Sequence, residues 1–569
     1  MVSPKVVVCL RVAAAVASGG LLALAFPPFR SPEAAWFALV PLILVARAVS
    51  PRTCFGLGWL SGFVFWLITL AWLLAMRDAG GPLALVLLSW LLLSAVCAVY
   101  SGVFTSLISC LWHGLSWTKK PVVKSETPSD PDGMLPNIGR LFAIPLIWVG
   151  CEYLRATLFT GFAWNALGVS QYANLVVIQF AEFGGVYVVS ALCMLMNAAL
   201  ALTGVSVVSR LLDRRLKRRV HPELMIGLVI CGLAWMVGYR MVAANAPAAG
   251  ADVKRVRVAA IQSNIPQGDK WQAVSENEIL QTMYDLTEKA KLSSPDLIIW
   301  PETAMPKPAD RDPVIRSMIC DLAGESEQIL VGTIEVREQN EQWTCYNSAI
   351  LFNGEGPQWP YYRKAHLVPF GEYIPGDTIF PALERLSPIG YSCRPGLTNT
   401  VFKLKDPDVA FSALICFEDT IASLSRNSVR NGAQFLVNLT NDAWFEGSWA
   451  GWQHMAHCVF RCVENRVPAV RCANFGVSCY ISRDGKLDSV TTDSLSQSGH
   501  LALDYRVGEV VVPIQPAART VYNRFGDLPF ALPCGTVCAL LFMFLVGRGP
   551  VLRLRAKHRP GSGRERGDN

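Results

Sequence analysis

Glu302, Lys364 and Cys416 are the residues of this 569-residue chain whose types can do chemistry together. Glu302 ends the apolar run DLIIWPET, Lys364 stands in YYRKAHLVPFGEYIP, and Cys416 closes the apolar run of ALICFED. Taken singly, each has an ordinary reading: a solvated strand-end glutamate, a loop lysine, a small buried cysteine. Together they supply what acyl transfer through sulfur needs. The thiolate is the nucleophile, so a carboxylate must take the thiol proton and later return it. The carbonyl oxygen becomes negative in the tetrahedral intermediate, and an ammonium with a backbone N–H after the cysteine can hold it. A strand-to-helix turn at Cys416 is expected to expose the sulfur and lower its pKa through helix N-terminal amides.

Residues positioned this way need a rigid frame. The patterns at 254–264, 296–303, 328–336, 346–352, 409–419, 435–444 and 469–481 predict strands, and those at 273–292, 312–324, 420–430 and 449–465 predict helices. Alternation of buried strands with helices predicts a layered α/β domain, with chemistry where strands end.

That frame does not fill the chain. The sequence is 52% hydrophobic and 17% charged, with 17 Trp, against about 25% charged in soluble domains. Apolar runs at 6–26, 34–50, 54–76, 82–112, 141–159, 184–208, 222–243 and 528–547 predict about eight membrane spans. The expected organisation is a transmembrane part at 1–247, a catalytic domain at 248–527, a last span at 528–547 and a basic tail at 548–569. With the N-terminus inside, the cytoplasmic loops hold Arg47, Arg52, Lys119, Lys120, Lys124, Arg140 and the cluster Arg210, Arg214, Arg215, Lys217, Arg218 and Arg219. The opposite loops hold little beyond Arg30 and Arg77, so the catalytic domain is expected on the outer face. The net charge of +7 lies in these clusters and the tail, which suits membrane orientation and argues against nucleic-acid binding. Glu152 and Arg155, three apart, read as an intrahelical, interfacial pair.

The motifs IQSNIPQGDKW (261–271), WPET (300–303), KAHLVPFGEYIP (364–375), ICFED (415–419), NLTNDAWF (438–445), ENRVPAVRCANFG (464–476) and GFAWNALG (161–168) stand in this order. In these the whole chain resembles the apolipoprotein N-acyltransferases, whose soluble part belongs to the nitrilase (carbon–nitrogen hydrolase) superfamily. The resemblance implies a transmembrane helical bundle joined to an αββα sandwich. It implies Glu302 as general base, Lys364 as oxyanion-stabilising cation and Cys416 as nucleophile. It further implies that Glu372 positions the lysine and that Glu418 is a further carboxylate required for full activity. Trp271, Asn347 and Trp444 match positions near the substrate or essential to the site. The implied reaction takes an acyl chain from a phospholipid, typically phosphatidylethanolamine, onto Cys416 and passes it to the α-amine of a diacylglyceryl-cysteine apolipoprotein. The implied place is the bacterial inner membrane, with the catalytic domain in the periplasm and no cofactor. Two departures stand out: Ala163 where proline is common, and Phe417 where tyrosine can occur.

Both substrates live in the bilayer. The stretch 359–395, with Trp359, Phe370, Tyr373, Ile374, Phe380 and Leu386 among Pro369, Pro375 and Pro381, reads as interface-facing loops. The rivals are a membrane-anchored amidase, which shares the triad but needs no such array of spans, and a transporter, which needs more intramembrane polar groups. The 17 cysteines include no CxxC pair, and Cys458 and Cys462 read as packed hydrophobes rather than zinc ligands with His454 and His457. Disulfide pairing among Cys320, Cys345, Cys393, Cys458, Cys462, Cys472 and Cys479 is not readable from spacing.

Overall fold

A computed structural model describes residues 3–114, 134–212, 221–245, 252–268, 270, 276–324, 327–339, 342–376, 392–492, 504–514 and 519–557. The N-terminal half runs through helices α1 (Pro4–Ala23), α2 (Val40–Ala48), α3 (Pro51–Thr69), α4 (Leu83–His113) and α5 (Met134–Thr157), two single turns α6 (Leu175–Ile178) and α7 (Ala181–Gly184), then α8 (Val186–Leu212) and α9 (Pro222–Asn245). Among the described residues five of these helices are long and apolar enough to cross a membrane, or six if α3 and the turn Ala71–Arg77, bent by 46° to each other, count as one span.

The expected continuous span at 34–50 is not there. A 3-10 turn, Pro32–Trp36, precedes the nine-residue α2, and nine residues rise only about 14 Å against a hydrocarbon core of about 30 Å. Turn and helix still retrace α1: Ser18 Oγ donates to Ala38 O at 2.6 Å, and Arg11 Nη2 to Ala48 O at 3.3 Å. His113 Nε2 lies 2.9 Å from Arg47 O, and Arg140 donates to Leu111 O. The ends of α2 and α4 and the start of α5 therefore share one side. Lys119, Lys120, Lys124, the cluster from Arg214 to Arg219 and the basic residues from Arg559 onward lie outside the described residues.

The catalytic half continues with β1 (Val253–Gln262), α10 (Glu276–Lys291), β2 (Leu297–Trp300), α11 (Pro313–Ala323), β3 (Gln328–Gln339), β4 (Gln342–Asn353), β5 (Gly356–Arg363), β6 (Phe402–Lys403) and β7 (Ala410–Ile415). Then come α12 (Ala422–Arg430), β8 (Phe435–Thr440), α13 (Ala450–Asn465), β9 (Ala469–Ala473), β10 (Val477–Ile481), β11 (Leu487–Thr492), β12 (Asp504–Pro513), α14 (Val521–Phe525) and α15 (Ala531–Lys557). The strands form two six-stranded sheets, β12-β1-β2-β3-β4-β5 and β11-β10-β9-β8-β7-β6. In each, three central strands run parallel, β1-β2-β3 and β7-β8-β9, and antiparallel strands flank them.

Strand periodicity explains the layers. Val256, Val258, Leu297 and Ile299 turn toward Phe411, Ala413, Phe435 and Val437 of the other sheet. The alternate residues Ala259, Ile261, Ile298 and Trp300 pack on α10 and α11. On the outer face of the second sheet, Leu414 and Leu436 share one continuous core with α13 and the membrane helices. Fifteen of the sixteen residues of α13 are buried, so this helix lies between the sheet and the membrane half. The patterns at 409–419 and 435–444 end as strands at Ile415 and Thr440, each followed by a 3-10 turn, and 469–481 is two strands paired antiparallel rather than one. These breaks put polar residues at the strand ends.

Candidate active site

Cys416 sits where β7 stops, with φ +53°. A non-glycine residue in this region costs about 1–3 kcal/mol and persists only where its surroundings hold it. They do so here: Cys416 O accepts from Asn438 Nδ2 and from His454 Nε2, both at 3.1 Å. Glu418 closes the turn, its Oε2 accepting from Ile415 N and from Tyr362 Oη at 2.7 Å. Its Oε1 accepts from Ala365 N at 2.7 Å and His366 N at 3.0 Å. Glu418 therefore staples the Cys416 turn to the segment after Lys364, with its carboxylate fully engaged by protein groups. The turn after Cys416 is a five-residue 3-10 segment, and the expected lowering of the thiol pKa is reversed. Burial, then the neighbouring Glu302, pushes it well above the ordinary value despite Lys364.

Glu302 follows β2 and Lys364 follows β5. Gly332 on β3 lets the strand pass against Pro301 and Glu302, since a Cβ there would lie 2.3 Å from Pro301 O. Lys364 is 1% exposed. Its Nζ lies 2.8 Å from Glu372 Oε2 and 3.3 Å from Glu302 Oε1. Burial opposes its charge, but Glu372, Glu302 and Cys416 hold its pKa well above the usual lysine value. Asn347 on β4 bridges the two carboxylates, Nδ2 donating to Glu302 Oε1 at 2.8 Å and to Glu372 Oε1 at 2.7 Å. Its carbonyl accepts from Lys364 N at 2.8 Å. The arrangement is a permanent ammonium fixed by two carboxylates beside a protonated thiol, suited to moving the sulfur proton onto Glu302 and stabilising an oxyanion. Lys270, in the motif IQSNIPQGDKW, is buried behind Glu302; its Nζ donates to Glu302 O at 3.1 Å and Thr303 Oγ1 at 2.8 Å. Burial lowers its pKa to about 8.

A second buried polar group lies under the first, and the sequence does not mark its members as one group. Beneath Cys416, His454 Nε2 lies 3.0 Å from Asp419 Oδ1 and Nδ1 3.0 Å from Asp442 Oδ1. Arg471, fully buried, donates to Asp419 Oδ2 and Asn438 Oδ1 through Nη1 and to Asp442 Oδ2 through Nη2. The visible signal was a charge inside the apolar strand AVRCA. Burial works against the imidazolium, and Arg471, 2.9 Å from Nδ1, opposes it too; Asp419 and Asp442 outweigh both and lift its pKa to about 9. Cys416, Asp442 and His454 bring ligand-type atoms within 4.8 Å of one another, but Asp442 and His454 are engaged with each other and with Arg471, whose cation would repel a metal ion.

The His454 shift has a consequence for stability. Because the folded pKa lies above 6.5, the free-imidazole value, its contribution is full below pH 6.5 and is lost as pH rises through about 9. His457, Cys416, Asp419, Asp442 and Arg471 are the other ionisable groups around it. The thermal midpoint in detergent should fall across this window, and His454→Gln should remove that slope; an unchanged slope would contradict the assignment.

Aromatic rings from the membrane half roof the site. Phe417 stacks with Trp164 at 6.1 Å and 5°, and with Phe162 at 6.3 Å and 12°. Its ring thus packs among the aromatic rings of the membrane half. Trp164 Nε1 donates to Gln453 Oε1 at 2.7 Å, and Gln453 Nε2 donates to Pro27 O and Thr69 O. Arg155 Nη1 donates to Phe162 O and Trp164 O, on both sides of Ala163, so hydrogen bonds fix the loop that lacks proline. Glu152 Oε1 accepts from Leu167 N at 2.6 Å. The pair expected to bond within its helix instead holds this loop. Trp444 is half-buried in the turn Asp442–Phe445. Trp271, Phe380, Pro381 and Leu386 lie outside the described residues. Of the other apolar residues of the 359–395 stretch, Phe370 is 66% exposed and Trp359 72%, while Ile374 is buried.

Residues 18–199 match the apolipoprotein N-acyltransferase N-terminal domain, and residues 257–495 match the carbon-nitrogen hydrolase domain. The apolipoprotein N-acyltransferase of Geobacter metallireducens is 34% identical over 93% of this chain and 94% of its own length. That of Chlorobaculum tepidum is 30% identical over 82% of this chain and 86% of its own. Saccharomyces cerevisiae Nit3, a member of the nitrilase superfamily, aligns with 48% of this chain and 95% of its own at 17% identity and a TM-score of 0.32.

Proposed function

This chain belongs to the apolipoprotein N-acyltransferase family, so its activity is the N-acylation of lipoproteins, and from that premise we propose that Cys416 carries the acyl group between a membrane phospholipid and the lipoprotein amine. The observation that carries the reading is Lys364, buried between Glu302 and Glu372 next to a cysteine held in a left-handed turn. In the first half-reaction Glu302 takes the Sγ proton as the thiolate attacks the ester carbonyl. Lys364 holds the oxyanion, and the expelled lysophospholipid oxygen leaves with the proton from Glu302. In the second half-reaction the neutral α-amine of the S-diacylglyceryl cysteine attacks the thioester, Glu302 takes its proton, and Cys416 Sγ leaves and recovers that proton from Glu302. Glu372 and Asn347 keep the lysine and the base in register. Glu418 acts through the Cys416 turn it closes. Trp444 and Trp271 are assigned to the substrate side on their motifs alone.

The protein is a membrane protein with several apolar helices. The reading places it in the inner membrane with the catalytic half in the periplasm, supported by the basic residues that gather on the opposite side, Arg47 and Arg140 among them. Phosphatidylethanolamine is the proposed donor. An aromatic roof and an acyl chain kept at the bilayer favour the amine over water. Purified protein in detergent, given phosphatidylethanolamine and a diacylglyceryl-cysteine peptide, should acylate the peptide and accumulate lysophospholipid in equal amounts. Release of free fatty acid at the rate of peptide acylation would refute the transferase mechanism.

A further inference from the structure

Cys345 and Cys393 come from different strand segments and face each other with Sγ atoms 3.4 Å apart. Their backbones form a parallel β-bridge, and Arg394 N donates to Cys345 O at 2.8 Å. Strand neighbours lie about 5 Å apart, inside the Cα separation of roughly 4.4–6.8 Å that a disulfide spans. The other cysteines of this half differ: Cys458 and Cys462 share helix α13, and Cys472 Sγ donates to Ile261 O and Ile299 O inside the sandwich.

The place matters as much as the distance. Cys345 stands two residues before Asn347 on β4 and so points to the same face as the Glu302–Lys364–Glu372 group. Cys393 N donates to Glu372 O, and Gly396 N to Lys364 O, each at 2.8 Å. The segment bearing Cys393 is thus what backs the Glu372 loop and the lysine.

We propose that Cys345 and Cys393 form a disulfide that ties the return of the Glu372 loop to β4 and fixes the carboxylate–lysine pair from behind. This rests on the reading that the catalytic half faces the periplasm, an oxidising compartment. One thiolate attacks the disulfide of a dithiol oxidase, giving a mixed disulfide and one oxidase thiol. The second cysteine thiolate attacks that mixed bond, forming Sγ–Sγ and releasing the second oxidase thiol. Two protons and two electrons leave the pair, and the oxidase disulfide is reduced to the dithiol. Cys416, alone in its turn and without such a partner strand, stays free for acyl transfer.

Cells expressing the full chain are quenched in acid, the thiols blocked with N-ethylmaleimide under denaturing conditions, and the unreduced digest read by mass spectrometry. The expected result is a linked Cys345–Cys393 peptide with Cys416 carrying the blocking group or an acyl chain. Blocking groups on both Cys345 and Cys393 would overturn the disulfide. The orientation is read separately: Leu292, 86% exposed on the catalytic half, is replaced (Leu292→Cys), and spheroplasts are treated with a membrane-impermeant maleimide. Labelling above the parent chain with no linked peptide refutes the disulfide and leaves the orientation standing; absence of labelling refutes the orientation. For the purified protein, reductant should hasten thermal inactivation several-fold, and the Cys345→Ser/Cys393→Ser chain should inactivate at the faster rate with or without it. Equal rates for parent and variant would refute a bracing role.

Discussion

Cys416→Ala should lower acyl transfer by at least about 10⁴-fold, the scale on which loss of a covalent nucleophile is felt, and should yield no acylated protein on incubation with phospholipid. Intact-mass measurement reads this directly as the absence of an added acyl group. Glu372→Ala makes the informative contrast. It removes the carboxylate 2.8 Å from Lys364 and leaves Glu302 as the lysine's remaining ion-pair partner. Lys364 then draws toward Glu302, and the base is held when it should be accepting a proton. The nucleophile is untouched, so the acyl-enzyme still forms, but more slowly, and turnover falls by about 10²–10³-fold, the scale of one lost electrostatic element. A persistent adduct on Cys416→Ala would sink the assignment of the nucleophile.

Arg471→Met should be the most damaging substitution to the fold. The guanidinium is completely buried and holds Asp419 at 2.7 Å and Asp442 at 3.0 Å. Without it, two buried carboxylates face one imidazolium. Breaking a buried pair by removing one partner costs about 3–5 kcal/mol, enough to consume a large part of a typical domain stability of about 5–15 kcal/mol. The expected observation is a strongly lowered thermal midpoint in detergent and poor recovery of the protein. Damage should reach the chemistry as well, because Asn438 and His454 hold the carbonyl of Cys416, and Asn438 is itself held by Arg471. Arg471→Lys should restore part of the stability, since it returns the charge without the fork. A midpoint for Arg471→Met equal to that of the parent would refute this account.

The layered sandwich was legible because its central strands are apolar runs and the parallel ones, β1-β2-β3 and β7-β8-β9, are separated by amphipathic helices. Cys416, Glu302 and Lys364 were legible through their motifs, at the ends of those strands. What the sequence hid is of one kind: partners brought together across large separations by the packing of polar residues in apolar surroundings. His454 lies within a helix buried nearly all round, so its charge has no periodicity to mark it. Gln453 and Trp164 are 289 positions apart, and neither side chain alone announces a contact. The span at 34–50 misled because apolar length was read as helix, whereas Pro32 and Pro41 start two short elements in its place. Residues 359–363 were read as part of an interface-facing loop stretch because exposed-type aromatics such as Trp359 stand among prolines there; pairing of β5 with β4 decides the conformation instead.

Helix α13, covered by sheet on one side and membrane helices on the other, has a practical corollary for anyone cutting the gene. A fragment spanning residues 250–520 alone would keep its catalytic side chains and yet strip the membrane helices from the outer side of α13, whose apolar residues share one core with them. Such an apolar expanse drives aggregation in water. The enzyme is thus divisible on paper near residues 250 and 520 but indivisible as a particle, and soluble expression of the catalytic piece requires redesign of that helix.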